Sequence, residues 1–219
     1  MTAERSLIEG VERYYSAKIT EHGANAEGVD WNGEDGQRLR YEQLLKVIDT
    51  ADQHPSINDY GCGYGALVGY LASRFADFSY LGYDISPAMI SAACEIHRDE
   101  PRAKFVGDER ELCPADFTLA SGIFNVRLDQ PKAVWAQYVL ETIDRIASVS
   151  RRGMAFNALT SHSDPERTRS DLHYADPSEL LDYCLRRYSR DVVVKHDYGL
   201  YEFTVLVWLD RRPPAAPIG

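Results

Sequence analysis

The sequence predicts an α/β protein built on a mostly parallel sheet, and three observations carry that expectation. From about Asp59 onward, short apolar runs alternate with segments of helical periodicity. The first of these runs ends in the glycine cluster Gly61-Cys62-Gly63-Tyr64-Gly65, with a helical pattern just after it. The last two runs, Val192 to Val194 and Tyr201 to Leu209, are joined by a short stretch with Asp197 and Gly199, which is hairpin spacing. Strand–helix units closed by a hairpin imply seven strands, helices on both faces and an antiparallel C-terminal strand.

Each element has its own local signal. Tyr41, Leu44, Leu45 and Ile48 form one helical face that stops before Pro55. Ile57 to Tyr60 is the strand entering the glycine cluster, and Leu67, Leu71 and Phe75 make the helical stripe that follows. Phe78 to Tyr83 is a second strand. Ser86-Pro87 then opens a helix, with Ser as N-cap and Pro where a missing N–H costs nothing. Met89, Ile90, Ala93 and Cys94 are its inner face. Strands follow at Ala103 to Val106 and Phe117 to Ala120, then a helix with Trp135, Tyr138, Val139, Thr142 and Ile146 inward, then a strand at Gly153 to Leu159. Asp176-Pro177-Ser178-Glu179 has the capping-box pattern, and its helix is expected to bury Leu180, Leu181, Cys184 and Leu185.

Twenty-four Lys and Arg against 34 Asp and Glu give a net charge of -10. That field repels phosphate backbones and argues against a nucleic-acid partner. No apolar run suits a bilayer helix, and Met1 to Gly10 lacks a signal-peptide pattern, so a cytoplasmic protein with no membrane contact is expected. Cys62, Cys94, Cys113 and Cys184 include no CxxC pair and read as buried small residues, with no metal site. A single domain over residues 1–210 is expected: a cover at 1–40, a core at 41–210, and a disordered tail at 211–219.

The candidate site lies where open parallel sheets bind ligands, at the carboxyl ends of the strands. Alternate glycines let the backbone turn tightly and come close to a ligand beside a helix start. The second strand ends in Asp84, whose carboxylate can accept both hydroxyl hydrogens of a ribose. The third ends in Gly107-Asp108, so each of the first three strands brings an acid to one edge.

Asp59-Tyr60-Gly61-Cys62-Gly63-Tyr64-Gly65, with Asp84 and Gly107-Asp108 after the next two strands, resembles the class I S-adenosylmethionine-dependent methyltransferases. The resemblance spans roughly Tyr41 to Leu209 and implies a Rossmann-like fold with S-adenosylmethionine as cofactor. It implies that Asp59 and the loop Gly61, Cys62, Gly63 and Gly65 hold the methionine part. It places Asp84 on the ribose, Ile85 against the adenine, Asp108 with Glu109 at the adenine amino group, and Ser121 and Gly122 along the sulfonium. The implied reaction moves a methyl group to O or N of a small molecule. Methylation of protein or RNA is a second reading, although the Asn/Asp-Pro-Pro-aromatic motif of base methylation is absent after the fourth strand. A binding protein without catalysis is a third. A nicotinamide-dependent oxidoreductase also fits the glycine spacing, but Asp59 would oppose a pyrophosphate there.

Three segments are candidates for the acceptor side. Asn125 and Arg127 follow the fourth strand, and Tyr174 ends the polar loop Thr160 to Ala175. His196 and Tyr198 follow the sixth strand as candidate proton acceptor and catalytic neighbour, with Tyr201 beside them. In members of the family that act on small molecules an N-terminal helical cap often closes over the donor. Tyr14, Tyr15, His22 and Trp31 look similar to such a cap, bounding the sulfonium and excluding water.

Overall fold

The structure is a computed structural model that describes residues 3–31 and 33–210, with side chains from Leu7 onward. The expected tail at 211–219 lies outside the described residues. Seven strands form one sheet: β1 (Ser56–Tyr60), β2 (Ser79–Tyr83), β3 (Ala103–Val106), β4 (Ala115–Ala120), β5 (Ser150–Leu159), β6 (Asp191–Lys195) and β7 (Glu202–Trp208). Their order is β3-β2-β1-β4-β5-β7-β6. β1 to β5 pair in parallel, while β7 is antiparallel to both β5 and β6. β6 therefore points the same way as β1 to β5. The central strands are buried on both faces, as a sheet covered on two sides requires, whereas β3 and β6 at the edges are half-exposed.

The helices are α1 (Ala3–His22), α2 (Glu34–Leu44), α3 (Leu67–Arg74), α4 (Pro87–Ile96), α5 (Lys132–Ser148) and α6 (Pro177–Arg187). Two cores result. One packs α1, α5 and α6 against the sheet around Trp135, Phe124, Phe156 and Phe203; the other packs α2 and α3 around Leu44, Leu67, Leu71 and Phe117. The stripe from Tyr41 to Ile48 is buried throughout, but α2 ends at Leu44 and tightens into a 3-10 turn over Leu45–Val47. On α6 only Leu180 and Cys184 are buried; Leu185 is 40 % exposed, because the helix lies on the sheet margin and covers it with a narrower stripe. Cys94 and Cys113 are exposed free thiols, so only Cys62 and Cys184 meet the expectation of buried small residues.

The chain moves out from β1 to β3, then returns to lay β4 on the other side of β1. This reversal opens a crevice at the carboxyl ends of β1 and β4, where the glycine cluster sits. Among the described residues no helix is long and apolar enough to cross a membrane, and no cluster of His, Cys, Asp and Glu has metal-site geometry.

α4 is anchored at this crevice by its cap. The fully buried Ser86 hydroxyl accepts from the Met89 N–H at 3.2 Å and meets the Ser16 hydroxyl of α1 at 2.7 Å. Replacing Ser86 by Ala removes both contacts, and urea unfolding should show a loss of about 1 kcal/mol with no change of slope.

Candidate active site

The loop after β1 is held open by backbone contacts. Gly61 and Cys62 donate their N–H groups to the Tyr83 carbonyl at 2.7 and 2.9 Å, which ties the loop to the end of β2. Gly61 has φ +80°, and a Cβ there would lie 2.3 Å from the Ile123 side chain, so only glycine fits. Asp84 completes the frame: one oxygen accepts from the Gly63 N–H and the other from the Ser86 N–H, both at 2.9 Å. Asp59 lies deeper, only 3 % exposed, and accepts from the Tyr80 hydroxyl at 2.7 Å. Burial outweighs these bonds and pushes Asp59 up to about 7 and Asp84 up to about 6.

Around this frame lies a cavity of about 810 Å³, counted to its open mouth. One side is polar, with Asp59, Gln37 and Tyr64; the other is apolar and aromatic, with Val11, Tyr60, Tyr83, Ile85, Ile123 and Tyr138. Gly122 closes one end. Its φ is +75°, and a Cβ would meet the Trp31 ring at 2.3 Å. Beyond Trp31 and Gly122 lies a second cavity of about 1270 Å³, lined by polar and aromatic groups that include Asn125, Arg167, Arg169, Tyr174 and Tyr201. The two cavities share Tyr15, Val29, Trp31 and Gly122 as a common wall.

Of the residues singled out from the sequence, Asp59, Gly61, Cys62, Gly63, Asp84, Ile85, Ser121 and Gly122 line the first cavity. Tyr15 and Trp31 line both, and Asn125, Tyr174 and Tyr201 line the second. The others lie elsewhere, each for a visible reason. Gly65 packs toward Phe105 and His97. Asp108 is bound to the Arg110 guanidinium, which lowers it to about 2, and Glu109 accepts from the Tyr60 hydroxyl at 2.8 Å and pairs with Arg145 at 3.2 Å. Tyr14 donates to Asp30, and His22 sits between Glu21 and Glu27. Arg127 donates to the backbone carbonyls of Leu172, Leu128, Gln130 and Ser170, so it holds the loop at residues 160–175 in place.

His196 and Tyr198 are corrections to the expected catalytic pair. The expectation that β6 ends on the crevice side is met, but β6 is the sheet edge, three strand spacings or about 14 Å from β4. His196 is exposed beside Phe203 and His162, and the Tyr198 hydroxyl contacts Thr204 at 3.0 Å. Neither lines either of the two cavities described above.

Two further groups of residues complete the walls. Tyr60 and Tyr83 stand one position ahead of Gly61 and Asp84, a strand-end placement that was readable; Tyr138 was read only as helix packing. The second group is a buried pair in the second cavity. Arg40 on α2 meets the first residue of β7, Glu202, at 2.5 Å and stacks on the Trp31 ring at 3.8 Å. Its signal was an acid opening the apolar run of β7. Burial raises Glu202 to about 7.

Fold and site together define a doubly wound α/β protein with a nucleoside-sized site at its switch point. A family profile described as "Methyltransferase domain" matches residues 59–152. A protein of Mycobacterium tuberculosis (strain ATCC 25618 / H37Rv), named "Putative methyltransferase Rv1506c", is 48 % identical over 163 residues, covering 74 % of this chain and 98 % of that one. Two solved structures share the fold. N-methyltransferase NodS from Bradyrhizobium japonicum WM9, in complex with S-adenosyl-L-homocysteine, has a TM-score of 0.65 at 14 % identity, over 91 % of this chain and 98 % of that one. Magnesium protoporphyrin IX methyltransferase (ChlM) from Synechocystis PCC 6803, with bound SAH, has a TM-score of 0.63 at 14 % identity, over 90 % and 97 %. The chain belongs to the class I S-adenosylmethionine-dependent methyltransferases.

The raised acids carry a stability consequence. Asp59 binds a proton more tightly folded than unfolded, so its contribution is complete below about pH 4 and is lost as pH rises through about 7. Asp59→Asn should therefore melt higher than the parent at pH 8, and the gap should close as the pH is lowered toward 4 in a series of thermal scans.

Proposed function

We infer that this protein transfers a methyl group from S-adenosylmethionine to O or N of a small cytoplasmic molecule. One observation carries the reading: a cavity with two buried carboxylates beside a glycine loop shares a wall with a second, polar cavity. The groups present fit the donor. Asp59 gives a buried carboxylate for its ammonium group, in a setting where such a charge is worth most. Each Asp84 oxygen has a lone pair left after its backbone bond, enough to accept the ribose hydroxyls. The Ser121 hydroxyl lies buried on this wall with no hydrogen-bond partner in the protein, a donor waiting for a ligand atom.

When bound, the donor supplies an electrophilic methyl group on a sulfonium. The protein's work is then to hold an acceptor in line and keep water out. Trp31 and Gly122 meet both cavities, so an acceptor in the second reaches the first past their contact. Tyr15 and Trp31 offer aromatic faces to a cation at that passage. Tyr174, Tyr201 and Asn125 line the far side and supply polar contacts to the acceptor.

The names of the solved relatives, an N-methyltransferase and a porphyrin methyltransferase, support a small-molecule acceptor. A nicotinamide cofactor is disfavoured because Asp59 stands two residues before the turn that would hold a pyrophosphate.

Thermal melting tests the donor assignment. S-adenosylhomocysteine at 100 times its dissociation constant should stabilise the protein by about 2.7 kcal/mol, while NAD(H) and NADP(H) leave the midpoint unchanged. Asp84→Ala should abolish the shift. A shift with a nicotinamide cofactor alone would overturn the reading.

A further inference from the structure

The two cavities differ in charge. The first is lined by Asp59 and Asp84 with no Lys, Arg or His, whereas the second is lined by Arg40, Arg167 and Arg169 against Asp30 and Glu202. In a chain of net charge -10, composition does not account for that contrast. Both acids of the second cavity are already engaged. Asp30 pairs with Lys18 at 2.9 Å and accepts from the Tyr14 hydroxyl at 2.8 Å. The Glu202 side chain is 0 % exposed against 12 % for Arg40, so a ligand entering this cavity meets the guanidinium and not the carboxylate.

Arg40 is held for such a meeting. Glu202 takes its Nε at 2.5 Å, and the Trp31 ring lies 3.8 Å from the guanidinium carbon, so the fork is fixed from two sides. The two terminal nitrogens carry the remaining N–H groups. Among the described residues no carbonyl or carboxylate accepts from them, and the side chain lines the cavity at the wall shared with the donor site. Burial lowers the Arg40 pKa even with Glu202 beside it, so one carboxylate leaves this cation under-compensated. It stays charged at any working pH. A planar carboxylate matches the open edge of an arginine fork with two parallel bonds, whereas a phosphate dianion would add a second negative charge close to Glu202. At the rim, Arg169 is bound to Asp171, while Arg167 stands 5.6 Å over the Tyr201 ring and pairs with no carboxylate among the described residues. Arg167 thus draws an anion inward.

We propose that the acceptor of this enzyme is an organic carboxylate, held through that group by the terminal nitrogens of Arg40 in the second cavity. The inference rests on the methyl-transfer reading above and adds to it the class of acceptor. Trp31, Tyr174 and Tyr201 line the same cavity and suit an aromatic or apolar body. A carboxylate on Arg40 lies close to Trp31, whose ring packs on Gly122 where the two cavities meet. The handle therefore anchors the acceptor beside the passage to the donor.

Fluorine NMR titration of the full chain, saturated with S-adenosylhomocysteine to fill the donor cavity, tests this with probes of one shape: 4-fluorobenzoate, 4-fluorobenzyl alcohol and 4-fluorobenzylamine. The benzoate should bind at least about tenfold more tightly than the neutral and cationic probes, and Arg40→Gln should weaken it by about tenfold or more. Arg40→Lys should recover only part of that loss, because an ammonium lacks the planar fork. The comparison of the probes on the unmutated protein stands alone if the Arg40 variants fail to fold. Equal binding of all the probes, tighter binding of the amine, or no binding of the benzoate at about 20 mM would overturn the carboxylate handle. A preference for benzoate that survives Arg40→Gln would overturn Arg40 as its holder. Failure of the unmutated protein to bind S-adenosylhomocysteine would instead overturn the methyl-transfer reading, and the same probes on the unloaded protein would still decide whether Arg40 holds a carboxylate.

Discussion

Two carboxylates kept away from water at the ends of neighbouring strands are the constraint on which the site depends. Asp59 and Asp84 are both at least nine-tenths buried, and among the described residues no Lys or Arg neutralises either one. Their partners are a tyrosine hydroxyl and two backbone amides. Such groups are poorly compensated by the protein's own partners. The same amides explain why the loop is glycine-rich, since Gly63 must turn its N–H toward Asp84 while Gly61 and Cys62 turn theirs toward Tyr83. Loop geometry and acid burial are thus one arrangement, and a ligand bearing a cation and a diol relieves both acids at once.

The cover over this frame is specified by a second buried charge pair. Arg40 and Glu202 join α2 to β7, and Arg40 also stacks on Trp31. A buried pair of this kind contributes little net stability, because desolvation offsets most of the attraction. Its effect is positional. With the guanidinium fixed at one end by Glu202, the Trp31 ring has one place to lie, against Gly122, which is also where the two cavities meet. The wall between the two cavities is set from α2 and β7 as much as from the segment that carries Trp31.

What was legible in the sequence was what repeats or breaks a period. All seven strands, the reversal of the last one, and the caps at Ser86 and Asp176 follow from alternating apolar runs and from residues whose backbone demands are strict. The glycine loop and its acids were legible because close approach and charge need particular residue types. Lateral distance was not. His196 ends a strand that points the right way, yet its separation from the crevice depends on β7 lying between β5 and β6, and on how far that carries it along the sheet. The local partner of Asp108 was equally hard to read: Arg110, two residues on, takes its carboxylate. Glu202 was hidden in an apolar run whose partner, Arg40, lies on a helix from the other end of the chain.

Tyrosine does two jobs in this protein that phenylalanine and an acid would otherwise divide. Tyr80 gives Asp59 a hydroxyl donor while its ring packs on Phe105, and Tyr60 gives Glu109 a donor while its ring walls the cavity. Burial holds both phenols well above their ordinary pKa, so they stay neutral donors wherever the protein is folded. A cavity walled in this way carries no charge of its own beyond the two loop acids. The charge it offers a ligand is therefore concentrated at Asp59 and Asp84.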